Sequence, residues 1–261
     1  MGTFAVILPA AGRSTRFGDP KQKKIYADLD GRAVWLHAVE PFLNRDDVAQ
    51  IVLAIAPEDR EMFERRYRAN VAFLNIQVID GGAERYETVA RALDVIDPAC
   101  EFVAVHDAAR PCLTLELIDA VFDAARKHGA ALPGLPVSDT LKRVGDDQRA
   151  VETVSRAGLV AVQTPQAFGR GLLIQAYANR DRVGEAVTDD AQLVEALGHA
   201  CFVVDGSPFN LKITTQGDLR LASAILQAMP KRKVESAGHP FADEQTMWDS
   251  TPKVRPKDLF D

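Results

Sequence analysis

The sequence predicts an α/β fold, a parallel sheet flanked by helices. Two observations carry this: short apolar runs rich in β-branched residues, and helical patterns alternating with them. The runs lie at 4–9 (FAVILP), 50–57 (QIVLAIAP), 76–80 (IQVID) and 101–107 (EFVAVHD). Each is almost continuously apolar, as a strand covered on both faces must be.

Between the runs, residues 33–45, 57–70, 85–96 and 114–129 place apolar side chains three and four apart, the helical spacing. Pro57 and Thr114 suit helix starts, and Gly129 suits a stop. After Gly129 the pattern breaks: 131–168 is punctuated by Pro and Gly. Within it, TLKRVGDDQRAVETVSR reads as two short strands around a turn, an arm over about 136–158 projecting from the sheet. Helices near 171–180 and 188–197, a strand at 201–206, the run 210–214 and a helix over 218–229 restore regularity. Residues 1–230 are expected to form a single domain. The remaining 231–261, with repeated Pro and mixed charge, are expected to be a flexible tail.

A chain of 261 residues, 47% hydrophobic and 26% charged, can bury a sizeable core. A net charge of −6 argues against a general nucleic-acid or anionic-membrane binder, while local basic clusters can still hold small anions. Cys100, Cys112 and Cys201 are widely spaced, with no CxxC pair and no His at metal-ligand spacing. Reduced thiols in a cytoplasmic protein are expected. The N-terminal apolar run lacks a preceding basic region, and no stretch approaches the ~20 apolar residues of a membrane span.

Candidate chemistry gathers after the strands. Gly12 and Gly18 follow the first run, where a glycine-bearing loop can turn backbone amides toward phosphates. The spacing is neither GxGxxG nor GxxxxGK[ST], so a plain turn is an equal alternative. Arg13, Arg16, Lys21, Lys23 and Lys24 follow closely, either to hold a triphosphate or as a solvated basic loop. Gly81, Gly82 and Thr88 open the third helical pattern, for close nucleotide approach or merely as a capped helix start. His106, Asp107 and Arg110 close the fourth run. Asp107 suits a Mg²⁺ or a hydroxyl and Arg110 a phosphate, unless the two simply pair to fix the loop. Thr140, Lys142, Arg156, Thr164, Thr188 and Lys212 add hydroxyls and cations suited to a phosphorylated polyol, each weak alone.

Taken in order, PAAG, GG.ER, VHDAARP, DT.K, R.GL, QTPQ.F, TD and N.K.T resemble the cytidylyltransferases that make 4-diphosphocytidyl-2-C-methylerythritol for isoprenoid synthesis by the non-mevalonate route. The resemblance spans Phe4 to about Met229, and ribitol-5-phosphate cytidylyltransferases are near relatives. It implies a Rossmann-like nucleotidyltransferase sheet in a homodimer, whose projecting arm reaches the neighbouring subunit's site. It also implies CTP as co-substrate, with Mg²⁺ bridging its phosphates. Ala10, Ala11, Gly12, Gly81, Gly82, Arg85, Thr88 and Asp107 would line the nucleotide pocket. Asp107, Arg110, Thr140, Thr164, Thr188 and Lys212 would surround the acceptor or its phosphates. Arg16, Lys24, Arg156 and Lys212 would be the catalytic cations, Arg156 coming from the partner chain.

Three positions depart from the family pattern. Thr88 replaces a Ser, Ala83 stands where Asp is frequent, and Pro20-Lys21-Gln22 is followed by Lys23 instead of an aromatic. The segment 24–37, KIYADLDGRAVWLH, fits the pattern K-Q-Y-L-x-L-x-G-K-x-V-L-x-H without a gap, which makes Lys24, not Lys21, the expected catalytic lysine. A dinucleotide-binding oxidoreductase lacks its glycine fingerprint, and a non-catalytic nucleotide sensor predicts the loss of cations that are all present.

Overall fold

The structure is a computed structural model that describes residues 2–18, 22–183 and 187–229. The described residues up to Leu226 form one compact unit. Lys21 and the expected tail, 231–261, lie outside the described residues.

The chain runs β1 (Phe4–Ala10), β2 (Asp28–Leu29), β3 (Arg32–Ala33), α1 (Val34–Val39), β4 (Val48–Ile55), α2 (Arg60–Phe73), β5 (Gln77–Asp80), α3 (Arg85–Leu93), β6 (Phe102–Val105) and α4 (Leu115–His128). It continues with β7 (Ala130–Pro136), β8 (Leu141–Val144), β9 (Ala150–Val154), β10 (Val160–Val162), β11 (Gln166–Gly169), α5 (Arg170–Ala178), α6 (Asp190–Ala196), β12 (Phe202–Asp205) and α7 (Gln216–Ala228). Strands β5, β4, β1 and β6 lie side by side and parallel. Strand β11 is antiparallel to both β6 and β7, and β12 runs parallel to β7 on its far side.

Period-two alternation divides each central strand between two cores. On β1, Phe4, Val6 and Leu8 pack with residues of α1, α2 and α4, while Ala5 and Ile7 pack with residues of α3, α5 and α6. Burial on both faces is what the unbroken apolar runs require. The helix signals act as expected. The Thr114 hydroxyl accepts from the Leu117 amide at 3.3 Å, and Gly129 ends α4 at φ 82°, a left-handed conformation that glycine adopts without a Cβ clash.

One expectation is corrected. The sheet is not wholly parallel, because β7, β10 and β11, from the irregular stretch on either side of the arm, extend it and make it mixed. Pro133 and Gly134 inside β7 hid that strand. The Pro133 carbonyl accepts from the Gln163 amide at 2.8 Å. Gln163 lies directly opposite, so the bond that Pro133 cannot return is the reciprocal one of this pair, and the ladder between β7 and β10 ends there. The arm itself is the β8–β9 hairpin, an exposed two-stranded antiparallel sheet. The run 210–214 is not a strand; a bond from the Ile213 amide to the Ala109 carbonyl, 2.8 Å long, docks it.

Candidate active site

A cleft opens at the carboxyl ends of β1, β5 and β6, where parallel α/β sheets bind ligands. It is lined by Ala10, Ala11, Gly12 and Ser14 after β1, by Lys24, by 82–85 and Thr88 after β5, by Asp107 after β6, and by Lys212. Several separate stretches of sequence thus converge on it.

After β1 the chain leaves the sheet through Gly12, which is exposed and has open space where a Cβ would stand. The Gly12 and Arg13 amides donate to no backbone carbonyl among the described residues, leaving them for an anion. Ser14 adopts the left-handed conformation at φ 55°, and its Oγ accepts from the Lys24 amide at 3.2 Å. That bond draws the lysine segment against the loop.

The lysines separate in space. Lys23 turns away from the cleft, its ammonium 2.9 Å from Glu58 and 2.8 Å from Asp59. The Tyr26 hydroxyl donates to the same Asp59 at 3.1 Å. With both neighbours anchored on the turn that leads into α2, Lys24 faces the cleft, and among the described residues it has no salt bridge. Burial, with the nearby charges of Lys212 and Arg16, lowers its pKa to about 8 against the attraction of Asp107. An ammonium held in this way seeks an anion. Arg16 is exposed on the single turn Thr15–Phe17, close enough for its charge to act on Lys24.

Gly81 and Gly82 serve the loop's own packing. A Cβ on Gly81 would stand 2.6 Å from the Ala11 Cβ, and one on Gly82 would stand 2.3 Å from the Glu87 Cβ. The Thr88 hydroxyl, 2% exposed, accepts from the Gly82 amide and donates to the Glu84 carbonyl, both at 3.0 Å. Glu84 and Glu87 form a capping box. The capped helix start is what the structure shows here.

Asp107 is the electrostatic hub. Its Oδ2 is 2.8 Å from the Lys212 ammonium and 3.4 Å from Arg110, and its Oδ1 is 3.6 Å from Arg85. Burial opposes ionisation, yet Lys212, Arg85 and Arg110 together hold its pKa well below the usual carboxylate range. These cations occupy the oxygens that Mg²⁺ would need. Among the described residues no three His, Cys, Asp or Glu side chains converge as a metal site. The expected role of Asp107 as a metal ligand does not fit this donor set.

Arg110 and Thr164, expected near the acceptor, lie behind the cleft wall. Arg110 is 9% exposed and donates to the Asn210 carbonyl at 2.6 Å, pinning the segment that carries Lys212. The Thr164 hydroxyl accepts from the Asp107 amide at 3.0 Å and is 3.2 Å from Nδ1 of His106. Burial takes the pKa of His106 down to about 4. Its neutral ring donates from Nε2 to the Arg110 carbonyl at 3.2 Å, which leaves Nδ1 to accept from Thr164. This hydroxyl is fully employed in fixing Asp107.

Thr140 and Arg156 sit at the base of the arm, exposed and outside the cleft lining, with the Arg156 guanidinium donating to the Ser138 carbonyl. Lys142 reaches the Thr153 hydroxyl across the arm. Thr188 is also outside the lining and holds Gln192 through its amide at 2.9 Å and its hydroxyl at 3.2 Å. Sequence reasoning passed over Ser14, Asp59 and Asp190. Nothing in their local spacing marks them, because their partners are 10, 33 and 105 residues away.

Comparison with known proteins gives a consistent result. The family profile of IspD, 2-C-methyl-D-erythritol 4-phosphate cytidylyltransferase, matches residues 4–228. The chain is 44% identical over 235 residues to the 2-C-methyl-D-erythritol 4-phosphate cytidylyltransferase of Rhodopirellula baltica, covering 86% of this chain and 95% of that one. It is 38% identical over 228 residues to that of Bacillus mycoides, covering 87% and 100%. The crystal structure of the Thermus thermophilus protein of the same name superposes with a TM-score of 0.72 at 34% identity, over 87% of this chain and 100% of that one.

Proposed function

The chain belongs to the 2-C-methyl-D-erythritol 4-phosphate cytidylyltransferase family, and from that premise we propose how its cleft makes 4-diphosphocytidyl-2-C-methyl-D-erythritol. The observation that carries the reading is the cleft shared by Lys24, Lys212 and the open amides after β1.

CTP lies against the loops after β1 and β5, its triphosphate toward Gly12, Arg16 and Lys24. The acceptor's phosphate lies by Lys212. One of its oxygens attacks the α-phosphorus of CTP, a new P–O bond forms, and the bond to the bridging oxygen breaks with its electron pair leaving on pyrophosphate. The nucleophile is already anionic, so no general base and no covalent intermediate is needed. Preorganised cations supply the catalysis, because charge accumulates on a crowded phosphoryl centre in a partly desolvated site. Mg²⁺ would arrive with the nucleotide and would offset part of its phosphate charge. Asp107 aims Lys212, and Arg110 and Thr164 hold Asp107.

Arg156 acts across a homodimer, delivered by the partner's arm. Its exposure at the hairpin base, outside its own chain's cleft, supports this. No helix of the described residues is long and apolar enough to cross a membrane, and with Cys100, Cys112 and Cys201 free the protein is read as cytoplasmic.

Purified protein with CTP and Mg²⁺ should release pyrophosphate when given methylerythritol phosphate. Release with ribitol 5-phosphate alone would move the acceptor assignment, and release with neither would end the cytidylyltransferase reading.

A further inference from the structure

Asp190 has no place in the reaction above, yet its side chain is completely buried. A carboxylate in that position must be fully compensated, and it is. Its Oδ2 accepts from Arg85 Nη2 at 2.7 Å, and its Oδ1 accepts from the Tyr177 hydroxyl at 2.5 Å. Burial and the Asp190 charge push the Tyr177 pKa far up, so the phenol stays a donor. The backbone carrying Asp190 is fixed as well. Gln166 on β11 donates to Asp189 at 2.9 Å and accepts from the Ala191 amide at 3.1 Å.

Arg85 therefore stands between two carboxylates, its Nη2 on Asp190 and its Nε 3.6 Å from Asp107. The two contacts fix the guanidinium plane. Nη1 has no partner among the described residues, and Arg85 lines the cleft beside Gly82, Glu84 and Thr88. Around this point Arg85, Arg110 and Lys212 face Asp107 and Asp190, three cations against two carboxylates. That balance leaves a positive site for an anionic ligand.

We propose that Asp190, supported by Tyr177, is a positioning residue that holds the Arg85 guanidinium in the plane from which it grips the nucleotide. The inference rests on the cleft being a nucleotide site. Without Asp190, Arg85 pairs only with Asp107 and swings toward it, which withdraws a donor from the nucleotide and competes with Lys212 for the same carboxylate. Asp190 touches no substrate and acts through Arg85.

The test is a double-mutant cycle on CTP affinity, measured by titration calorimetry on the full chain. Asp190→Asn should weaken CTP about tenfold and Arg85→Gln about as much or more, and the double variant should be no weaker than Arg85→Gln alone. Additive losses, about a hundredfold in the double variant, would overturn the proposal. So would a fall in binding stoichiometry at unchanged affinity, the signature of a purely structural role. Should Asp190→Asn fail to fold, Tyr177→Phe takes its place in the cycle, with an effect of about threefold that must vanish beside Arg85→Gln. A non-additive cycle in a protein that releases no pyrophosphate would leave this proposal standing and remove the activity reading. Absence of CTP binding by the unaltered protein would overturn both.

Discussion

Lys24→Met should make the protein more stable and nearly inactive. Methionine keeps the aliphatic stem and the backbone bond to Ser14 but removes the ammonium. In the folded protein burial, Lys212 and Arg16 bring the lysine from its ordinary 10.5 to about 8. Below pH 8 both the folded and unfolded chains carry the proton, so the folded state bears the whole penalty of the confined charge. Between 8 and 10.5 the unfolded chain binds more protons than the folded one, and stability rises with pH until the penalty is gone. The drop to about 8 corresponds to about 3 kcal/mol at about 1.4 kcal/mol per pH unit. Lys24 is only partly buried, so solvent screening reduces this to about 1–2 kcal/mol. A domain of this size should then gain about 2–8 °C in Tm at pH 7. Thermal unfolding of the two proteins at pH 7 and near pH 10 is the assay. The advantage of the variant should be clear at pH 7 and mostly lost near pH 10, while pyrophosphate release falls about 10²–10³-fold, the scale of losing one oriented donor. A destabilised variant, a pH-independent difference or retained turnover would refute the reasoning.

In the unaltered protein, kcat/KM for CTP reports the free enzyme and should fall above pH about 8 as Lys24 loses its proton; a flat profile to pH 10 would contradict the assignment. Asp59→Ala frees Lys23 and Tyr26 together and should lower kcat about tenfold or more by loosening Lys24, with CTP-dependent rates at several ionic strengths as the readout. Arg110→Ala removes one of the three cations around Asp107 and the 2.6 Å bond to the Asn210 carbonyl, and should destabilise by about 1–3 kcal/mol in urea unfolding. Mixing inactive Arg156→Ala and Lys24→Ala proteins should restore activity, because reassortment creates one site with both cations; no recovery after subunit exchange would place Arg156 in its own chain's site.

The central strands, the helices around them and the hairpin were legible because each announces itself locally, through apolar period, caps or turn residues. Strand β7 was not, since Pro133 and Gly134 read locally as turn residues, and only the strands paired on both edges of β7 reveal it. Among the cations, register placed Lys24, and the structure adds the reason that Lys23 is not its equal: Glu58 and Asp59 hold it on the other side. Arg110 and Thr164 were read as ligand contacts because their neighbourhood in sequence is rich in function. Their burial assigns them to holding Asp107 and Lys212. Asp190 was invisible for the opposite reason. It follows a Thr-Asp pair that reads as a helix cap, and Asp189 is indeed the cap of α6, accepting from the Gln192 amide at 3.0 Å, while Arg85, the partner of Asp190, lies 105 positions away.

The reaction turns on which phosphorus is attacked. CTP labelled at the α-phosphorus, incubated with the protein, Mg²⁺ and methylerythritol phosphate, should transfer its label to the acceptor as a diphosphate ester, with all of the pyrophosphate unlabelled. Label remaining in free CMP, or appearing in the acceptor only when the γ-phosphorus is labelled, would contradict cytidylyl transfer at this cleft.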